Sequence, residues 1–212
     1  NAENICAWKI NSGKSHFMKE MYDLNIIKLN NKLFSYAGSS TFHPTSFRNM
    51  CKIAISQNEL DWTRDFIEDY SKYLPADDKK NTVHYCQLLV NFKAGKFEAA
   101  LKNANSIELN SSFYKIEVRS FIMIIYFELG YYDEGIDLAL TFKKFLTGNR
   151  ELSDFQKDTY TAFTSCYMEL CNYKGNHDIE RLSYAKKIFN ENPSSGLKDW
   201  LVEKIEVSRN DK

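Results

Sequence analysis

The chain has 212 residues, of which 43% are hydrophobic and 15% aromatic, so it can bury one extended core or two small ones and is not expected to be disordered. The chain has 28 basic residues (Lys and Arg) and 28 acidic residues (Asp and Glu), so its net charge is zero. It therefore lacks the excess of positive charge that binding to nucleic acid or to an anionic membrane requires, and neither is expected as a partner. The 8 glycines and 3 prolines supply too little turn chemistry for a many-stranded β protein, so the composition predicts an all-α fold.

The first 43 residues are expected to precede the clear repeats. Residues 14–34 are typical of one long amphipathic helix, the second helix of a partial repeat whose first half lies at 3–11. The Gly-Lys-Ser stretch at 13–15 suggests a phosphate-binding loop, but Trp8 stands where such a loop needs its first glycine. We interpret it as a turn between helices and predict no cofactor. Because the chain begins at Asn1 rather than at a methionine, we expect the native protein to be longer.

A short pattern then recurs along the chain. It is clearest in NFKAGKFEAALKNA at 91–104 and YFELGYYDEGIDLA at 126–139, where a glycine, an aromatic residue and a small residue occupy matching places. Weaker copies place Asn58 and Gly175 in the position of Gly95 and Gly130. The four positions are 37, 35 and 45 residues apart, which is the spacing of helical-hairpin repeats.

Each copy predicts two helices joined by a tight turn. Glycine and asparagine tolerate the left-handed backbone that ends a helix, and a small residue such as Gly135 lets two helix backbones approach closely. The hairpins are predicted at about 45–73, 77–108, 112–147 and 152–191, stacked in one right-handed array. Six residues are predicted to be mostly buried because they lie on the packing face, namely Trp62, Phe66, Phe97, Leu101, Tyr132 and Ile136.

These turns resemble the tetratricopeptide repeat, whose motif often places a proline after the second helix, as at Pro75 and Pro193. FRN at 47–49, FYK at 113–115 and KKFL at 143–146 are similar, more narrowly, to a family of uncharacterised bacterial helical-repeat proteins. The resemblance implies a right-handed α-α superhelix that forms a single domain over residues 1–212. Within it, we expect a partial repeat and long helix at 1–43, about four hairpins at 44–193 and a capping helix at 194–212, in which Trp200, Leu201 and Ile205 cover the last unit.

The chemistry-bearing residues predict neither a catalytic site nor a metal site. The close pair His84 and Cys86 points to different faces of a helix, and no second pair has zinc spacing. Five scattered cysteines indicate reduced core thiols. The longest apolar run, at 121–127, is too short to cross a bilayer. We therefore expect a cytoplasmic protein that does not bind membranes. Because no catalytic site is predicted, we also expect that the protein is not an enzyme.

One departure from the repeat concerns the second hairpin. His84, Gln87 and Asn91 occupy a column of its first helix that the repeat predicts to be apolar. Arg119 occupies a similar column in the third hairpin, where it would need a carboxylate or carbonyl partner if it is buried.

The expected function is a non-enzymatic scaffold that binds a protein or peptide partner on a concave surface lined by the first helix of each hairpin. The residues predicted to contact the partner are Arg48, Lys52, Tyr85 and Arg119. The alternative for these positions is that the basic residues are merely solvated and that Tyr85 packs inside the protein. The alternative function is a regulatory sensor that binds a small peptide or ligand in the groove of the superhelix.

Overall fold

A computed structural model describes residues 2–34, 41–191 and 197–210, and all regular secondary structure in these ranges is helical. The α-helices are α1 (Ala2–Asn11), α2 (Phe17–Asn30), α3 (Pro44–Ser56), α4 (Leu60–Tyr70), α5 (Ala76–Lys93), α6 (Phe97–Asn105), α7 (Ser112–Leu129), α8 (Tyr132–Gly148), α9 (Asp154–Asn176), α10 (Ile179–Glu191) and α11 (Lys198–Asn210). A short 3₁₀ helix, Ser71–Tyr73, follows α4. The predicted all-α class is therefore confirmed for the described residues, whereas Pro193 lies outside them.

The chain divides into two compact units, Asn1–Glu108 and Leu109–Lys212. In the first unit α2 packs against α1 and α3, while α5 packs against α3, α4 and α6. In the second unit α8 packs against α7 and α9, while α10 packs against α9 and α11. Consecutive helices thus form the predicted hairpins within each unit. A single domain with one right-handed array stays a prediction.

Three hairpin turns share one geometry, which explains the pattern in the sequence. Asn58, Gly95 and Gly130 have φ values of 64°, 70° and 79°, in the left-handed region that glycine and asparagine tolerate best. In each turn the following residue donates its N–H to the carbonyl oxygen five residues earlier, at 3.0, 2.9 and 2.8 Å respectively. The second helix then starts two residues after the left-handed residue, at Leu60, Phe97 or Tyr132.

The fourth turn lies two residues later than predicted. Gly175 stays inside α9, and His177 instead takes the left-handed conformation with a φ of 55°. The His177 N–H donates to the Tyr173 carbonyl at 2.7 Å, and the Asp178 N–H is accepted by the Asn176 side chain at 3.0 Å. The prediction for Gly175 is therefore wrong, because glycine can also continue a helix at a modest cost and histidine is among the residues that can enter the left-handed region.

The Gly-Lys-Ser stretch is a turn between helices, as predicted. Gly13 has a φ of 82°, and the Lys14 N–H donates to the Lys9 carbonyl at 3.0 Å. The helix predicted over 14–34 is shorter than expected and spans only Phe17–Asn30, as α2. It ends before Lys32, which adopts a left-handed φ of 55°. Because this turn joins α1 to α2 and the two helices pack against each other, they form a hairpin.

Small or short side chains recur at one buried position of three hairpins. Thr63, Ala100 and Gly135 lie five residues after the left-handed residue of their hairpins, and all three are buried. The residues predicted on the packing face divide into buried Phe66 and five half-buried ones, Trp62, Phe97, Leu101, Tyr132 and Ile136. The aromatic residue after the turn therefore covers the edge of the hairpin rather than filling its centre.

Gly135 marks a close approach of three helices in the second unit. A Cβ atom at this position would overlap the hydroxyl group of Tyr167 and would lie 3.1 Å from its Cζ atom. Tyr167 is completely buried, and its hydroxyl donates a hydrogen bond to the Met123 carbonyl at 2.7 Å. One tyrosine of α9 thus joins α7 and α8, and it requires a glycine at position 135.

Candidate partner-binding surface

A groove of about 810 Å³ opens between α1, α2 and α3 in the first unit. Polar side chains from all three helices line it, namely Asn4 and Asn11 from α1, Asn25 from α2, and Asn49 and Lys52 from α3. Apolar surface comes from Met18, Met21, Met50 and Ile53. This mixture of apolar surface and a few polar groups is typical of ligand sites, whose volumes range from about 300 to 1,000 Å³.

Asn25 is the most unusual residue of this groove. It is only 4% exposed, although it lines the groove. Within the described parts of the chain, no residue forms a hydrogen bond with its side-chain amide. The amide is not among the fully buried polar groups without a partner, so it faces the solvent that fills the groove. Asn25 therefore gives the groove an available donor and acceptor.

The charges of the groove lining favour an acidic ligand. Lys28 and Glu3 form an ion pair, with Nζ and Oε1 2.6 Å apart and the two side chains 27% and 34% exposed. This pair joins α2 to α1 and leaves the two charges balanced. Lys52 adds a further positive charge to the lining, so the charged side chains sum to +1 with His43 neutral.

The structure brings Lys52 and Tyr85 together, but only Lys52 reaches the groove. The Lys52 Nζ atom lies 5.4 Å from the centroid of the Tyr85 ring, which is a cation–π geometry. Tyr85 is 0% exposed, so it cannot contact a partner directly. Tyr85 thus packs inside the protein, as the alternative interpretation expects, and its ring contacts the Lys52 ammonium group.

Arg48 lies one helical turn before Lys52 on α3. Its side chain is half-buried, and its Nη2 atom donates to the Thr45 hydroxyl at 3.1 Å. It does not line the groove of about 810 Å³, so its predicted contact with a partner would lie beside the groove rather than in it.

Arg119 belongs to the packing of the second unit. Its guanidinium carbon lies 4.8 Å from the centroid of the Phe145 ring, and burial lowers the pKa of Arg119. The Nη1 atom is buried and has no hydrogen-bond partner among the residues that the structure describes. Among the described residues, Arg119 therefore contacts the Phe145 ring instead of the carboxylate or carbonyl partner that was expected for it.

One column of the first helices shows how the four clear hairpins differ. Arg48, Tyr85, Ser120 and Tyr167 each lie ten residues before the left-handed residue of their own hairpin. Arg48 is half-buried, whereas the other three are at most 1% exposed. Among these four hairpins, the column is therefore accessible on α3 and buried on the other three first helices.

In the second unit, α11 packs against α9 and α10 and contacts the end of α7, and its capping role stays a prediction. The Trp200 Nε1–H donates to the Glu128 Oε1 atom at 2.7 Å, and the Lys204 Nζ atom lies 2.9 Å from the same oxygen. Leu201 and Ile205 are buried as expected. The charges of Glu128 and Lys204 thus pair with each other rather than facing a ligand.

The described residues offer little other site chemistry. In residues 2–34, 41–191 and 197–210, no group of three or more His, Cys, Asp or Glu side chains could hold a metal ion. No helix in these ranges combines the length and the apolar character needed to cross a membrane. All five cysteines are buried free thiols.

Comparisons with known proteins leave the geometry as the basis for any functional assignment. No protein family matches the chain, no curated protein matches it, and no solved structure matches it. Membership of the tetratricopeptide family therefore stays a prediction, supported by the three similar turns.

Proposed function

We propose that this chain is a non-enzymatic binding module whose groove between α1, α2 and α3 holds a peptide segment of a partner protein. The observation that carries the proposal is the Asn25 amide, which lines the groove at 4% exposure. A side-chain amide has two N–H donors and one carbonyl acceptor, so it can pair with both the C=O and the N–H of a peptide backbone. A peptide backbone in the groove would replace solvent at this amide with directed hydrogen bonds.

The groove chemistry also suggests what the peptide carries. Lys52 gives the lining its net positive charge, which favours a carboxylate on the peptide. Met18, Met21 and Met50 supply flexible, polarizable surface that adapts to apolar side chains. We therefore expect a segment that combines an acidic residue with an apolar one.

Affinity capture from the native cell, followed by mass spectrometry, tests this function. The parent chain should recover a partner that is lost with Asn25→Leu and with Lys52→Glu. Lys102→Glu is the matched control, because Lys102 is an exposed lysine of α6 outside the groove. A peptide of the recovered partner should then bind in calorimetry with the same variant pattern. Equal recovery by all four chains, each folded by circular dichroism, would contradict the proposal.

A regulatory sensor is the second candidate. It is favoured by the groove volume of about 810 Å³, which lies within the range of small-molecule sites. The two functions differ in what saturates the groove. A small metabolite that raises the melting temperature and loses this effect with Asn25→Leu would favour the sensor, whereas a peptide with the same behaviour favours the scaffold.

A cytoplasmic location belongs to the same proposal. It is supported by Cys6, Cys51, Cys86, Cys166 and Cys171, all of which are free thiols. Reduced thiols of this kind are the usual state in the cytoplasm.

A further inference from the structure

A second cleft, of about 610 Å³, lies between α4, α5 and α6 in the first unit. Gln87 and Asn91 from α5 and Asn103 from α6 line it, together with the apolar side chains of Val83 and Val90. We refer to it as the amide cleft. It accounts for Gln87 and Asn91, two of the three polar residues in a helix column that the repeat predicts to be apolar.

The amides of this cleft are available for a ligand. Within the described ranges of the chain, no residue forms a hydrogen bond with the side chain of Gln87 or Asn91. The Asn103 Oδ1 atom lies 3.4 Å from His84 Nδ1, and this contact leaves the Asn103 amide nitrogen as a donor. Three primary amides thus converge on one concave surface that has an apolar floor.

The charges of the amide cleft are balanced. Arg64 and Glu68 are its charged lining residues, and Arg64 Nη1 forms an ion pair with Asp61 Oδ1 at 2.5 Å. The cleft therefore offers hydrogen bonds and apolar contact without a net charge that would select an ionic ligand. An uncharged ligand with alternating donors and acceptors matches this lining.

The spacing of the amides identifies the form of that ligand. Gln87 and Asn91 are four residues apart on α5, which places them about 6 Å apart along the helix axis. An extended polypeptide presents every second residue to the same side at intervals of about 6.6 Å. We propose that the amide cleft binds an extended peptide backbone, with Gln87 and Asn91 each pairing with the N–H and C=O of alternate residues.

The amide cleft and the groove between α1, α2 and α3 share none of their lining residues. On α5, Tyr85 supports Lys52, whereas Gln87 is two positions further and points to a different side of the helix. The inference therefore does not depend on the function proposed for the groove.

The test uses a blocked hexapeptide with the sequence Ac-Thr-Val-Thr-Val-Thr-Val-NH₂, which is uncharged and favours the extended conformation. It is titrated to several millimolar into the full ¹⁵N-labelled chain. The side-chain amide signals of Gln87, Asn91 and Asn103 should shift and saturate together. Gln87→Met and Asn91→Ala should each weaken binding about three- to tenfold, as expected for the loss of hydrogen bonds.

Two controls distinguish backbone recognition from simple apolar burial. The same hexapeptide with N-methyl groups on alternate residues lacks half of its backbone donors and should bind at least fivefold more weakly. Asn105→Ala removes an exposed amide of α6 outside the cleft and should leave binding unchanged. Each variant is first shown to melt as the parent does, and if one variant fails to fold, the other decides.

Three results would overturn the inference. One is the absence of saturable shifts at the amide cleft, and another is equal binding of the N-methylated peptide. The third is a set of shifts at Asn25 and Asn49, which would place the peptide in the other groove.

Discussion

The contact between Gly135 and Tyr167 provides a direct test of how the hairpins of the second unit pack. In Gly135→Ala, the new methyl group would overlap the Tyr167 hydroxyl. Tyr167 is completely buried, so its ring cannot swing into solvent to make room. The side chain must shift within the core, and its hydrogen bond to the Met123 carbonyl, now 2.7 Å long, must lengthen or break.

Two opposing effects set the magnitude. Replacing a helical glycine by alanine stabilises a helix by roughly 0.5–1 kcal/mol. Overpacking a well-packed core costs roughly 1–3 kcal/mol, and a lost hydrogen bond adds about 1 kcal/mol. The overlap should dominate, so we expect Gly135→Ala to lower the free energy of unfolding by about 2 kcal/mol.

A double-mutant cycle in urea separates this contact from a general effect of alanine. Tyr167→Phe removes the overlapping oxygen, and the nearest remaining atom is Cζ at 3.1 Å from the added Cβ. In that background Gly135→Ala should cost less than about 1 kcal/mol, because the ring must still shift slightly, which gives a coupling energy of more than about 1 kcal/mol. Gly175→Ala is the matched control, because Gly175 is also helical and an added Cβ there would meet nothing within 4 Å. It should be neutral or slightly stabilising. An equal cost of Gly135→Ala in both backgrounds would refute the packing argument.

Three further predictions concern the cap, the binding surface and the thiols. Trp200→Phe removes a hydrogen bond to the Glu128 carboxylate and should lower the free energy of unfolding by about 1.5 kcal/mol. Trp8→Phe is the control and should change it little, because the Trp8 side chain is 63% exposed. Equal urea midpoints for the two variants would contradict this prediction. Arg48→Glu should abolish capture of the partner without changing the melting temperature, whereas Lys102→Glu should not affect capture, and undiminished recovery by folded Arg48→Glu would remove this residue from the site. Burial raises the pKa of the Cys166 thiol from 9.0 to about 12, so its contribution to stability is complete below pH 9 and is lost as the pH rises from 9 towards 12. Between pH 9 and 10 the parent should lose about 1 kcal/mol more than Cys166→Ala in urea unfolding, and parallel losses would show that this thiol does not contribute.

The turns are the part of the fold that the sequence predicts best. Asn58, Gly95 and Gly130 adopt the left-handed conformation because a single residue type largely decides whether that conformation is accessible. Gly175 and His177 show the limit of this reasoning. Glycine also fits within a helix, so the residue that ends α9 is decided by the packing of the surrounding helices rather than by the glycine itself.

The candidate site is less accessible to prediction from the sequence. The sequence predicts Lys52 as a partner contact, and Lys52 does line the groove. This position is predictable because a lysine on the first helix of a hairpin tends to remain exposed. Tyr85 occupies the same column as Arg48, yet α3, α4 and α6 all pack against α5 and bury it. Asn25 was missed, since an asparagine in an amphipathic helix looks like any solvated residue until α1, α2 and α3 are placed around it.

The two units differ in what faces their first helices, and this difference indicates where binding variants should lie. In the second unit, Trp200 and Lys204 converge on Glu128, so that charge is neutralised by the chain itself and contributes to stability. In the first unit, Asn25 and Lys52 line an open groove, where their polar groups can act on a ligand. Breaking the contacts of Glu128 would cost stability, whereas a ligand can reach the groove without breaking the packing of α11. Substitutions that abolish binding should therefore cluster in α1, α2 and α3, whereas substitutions in α11 should act through the free energy of unfolding.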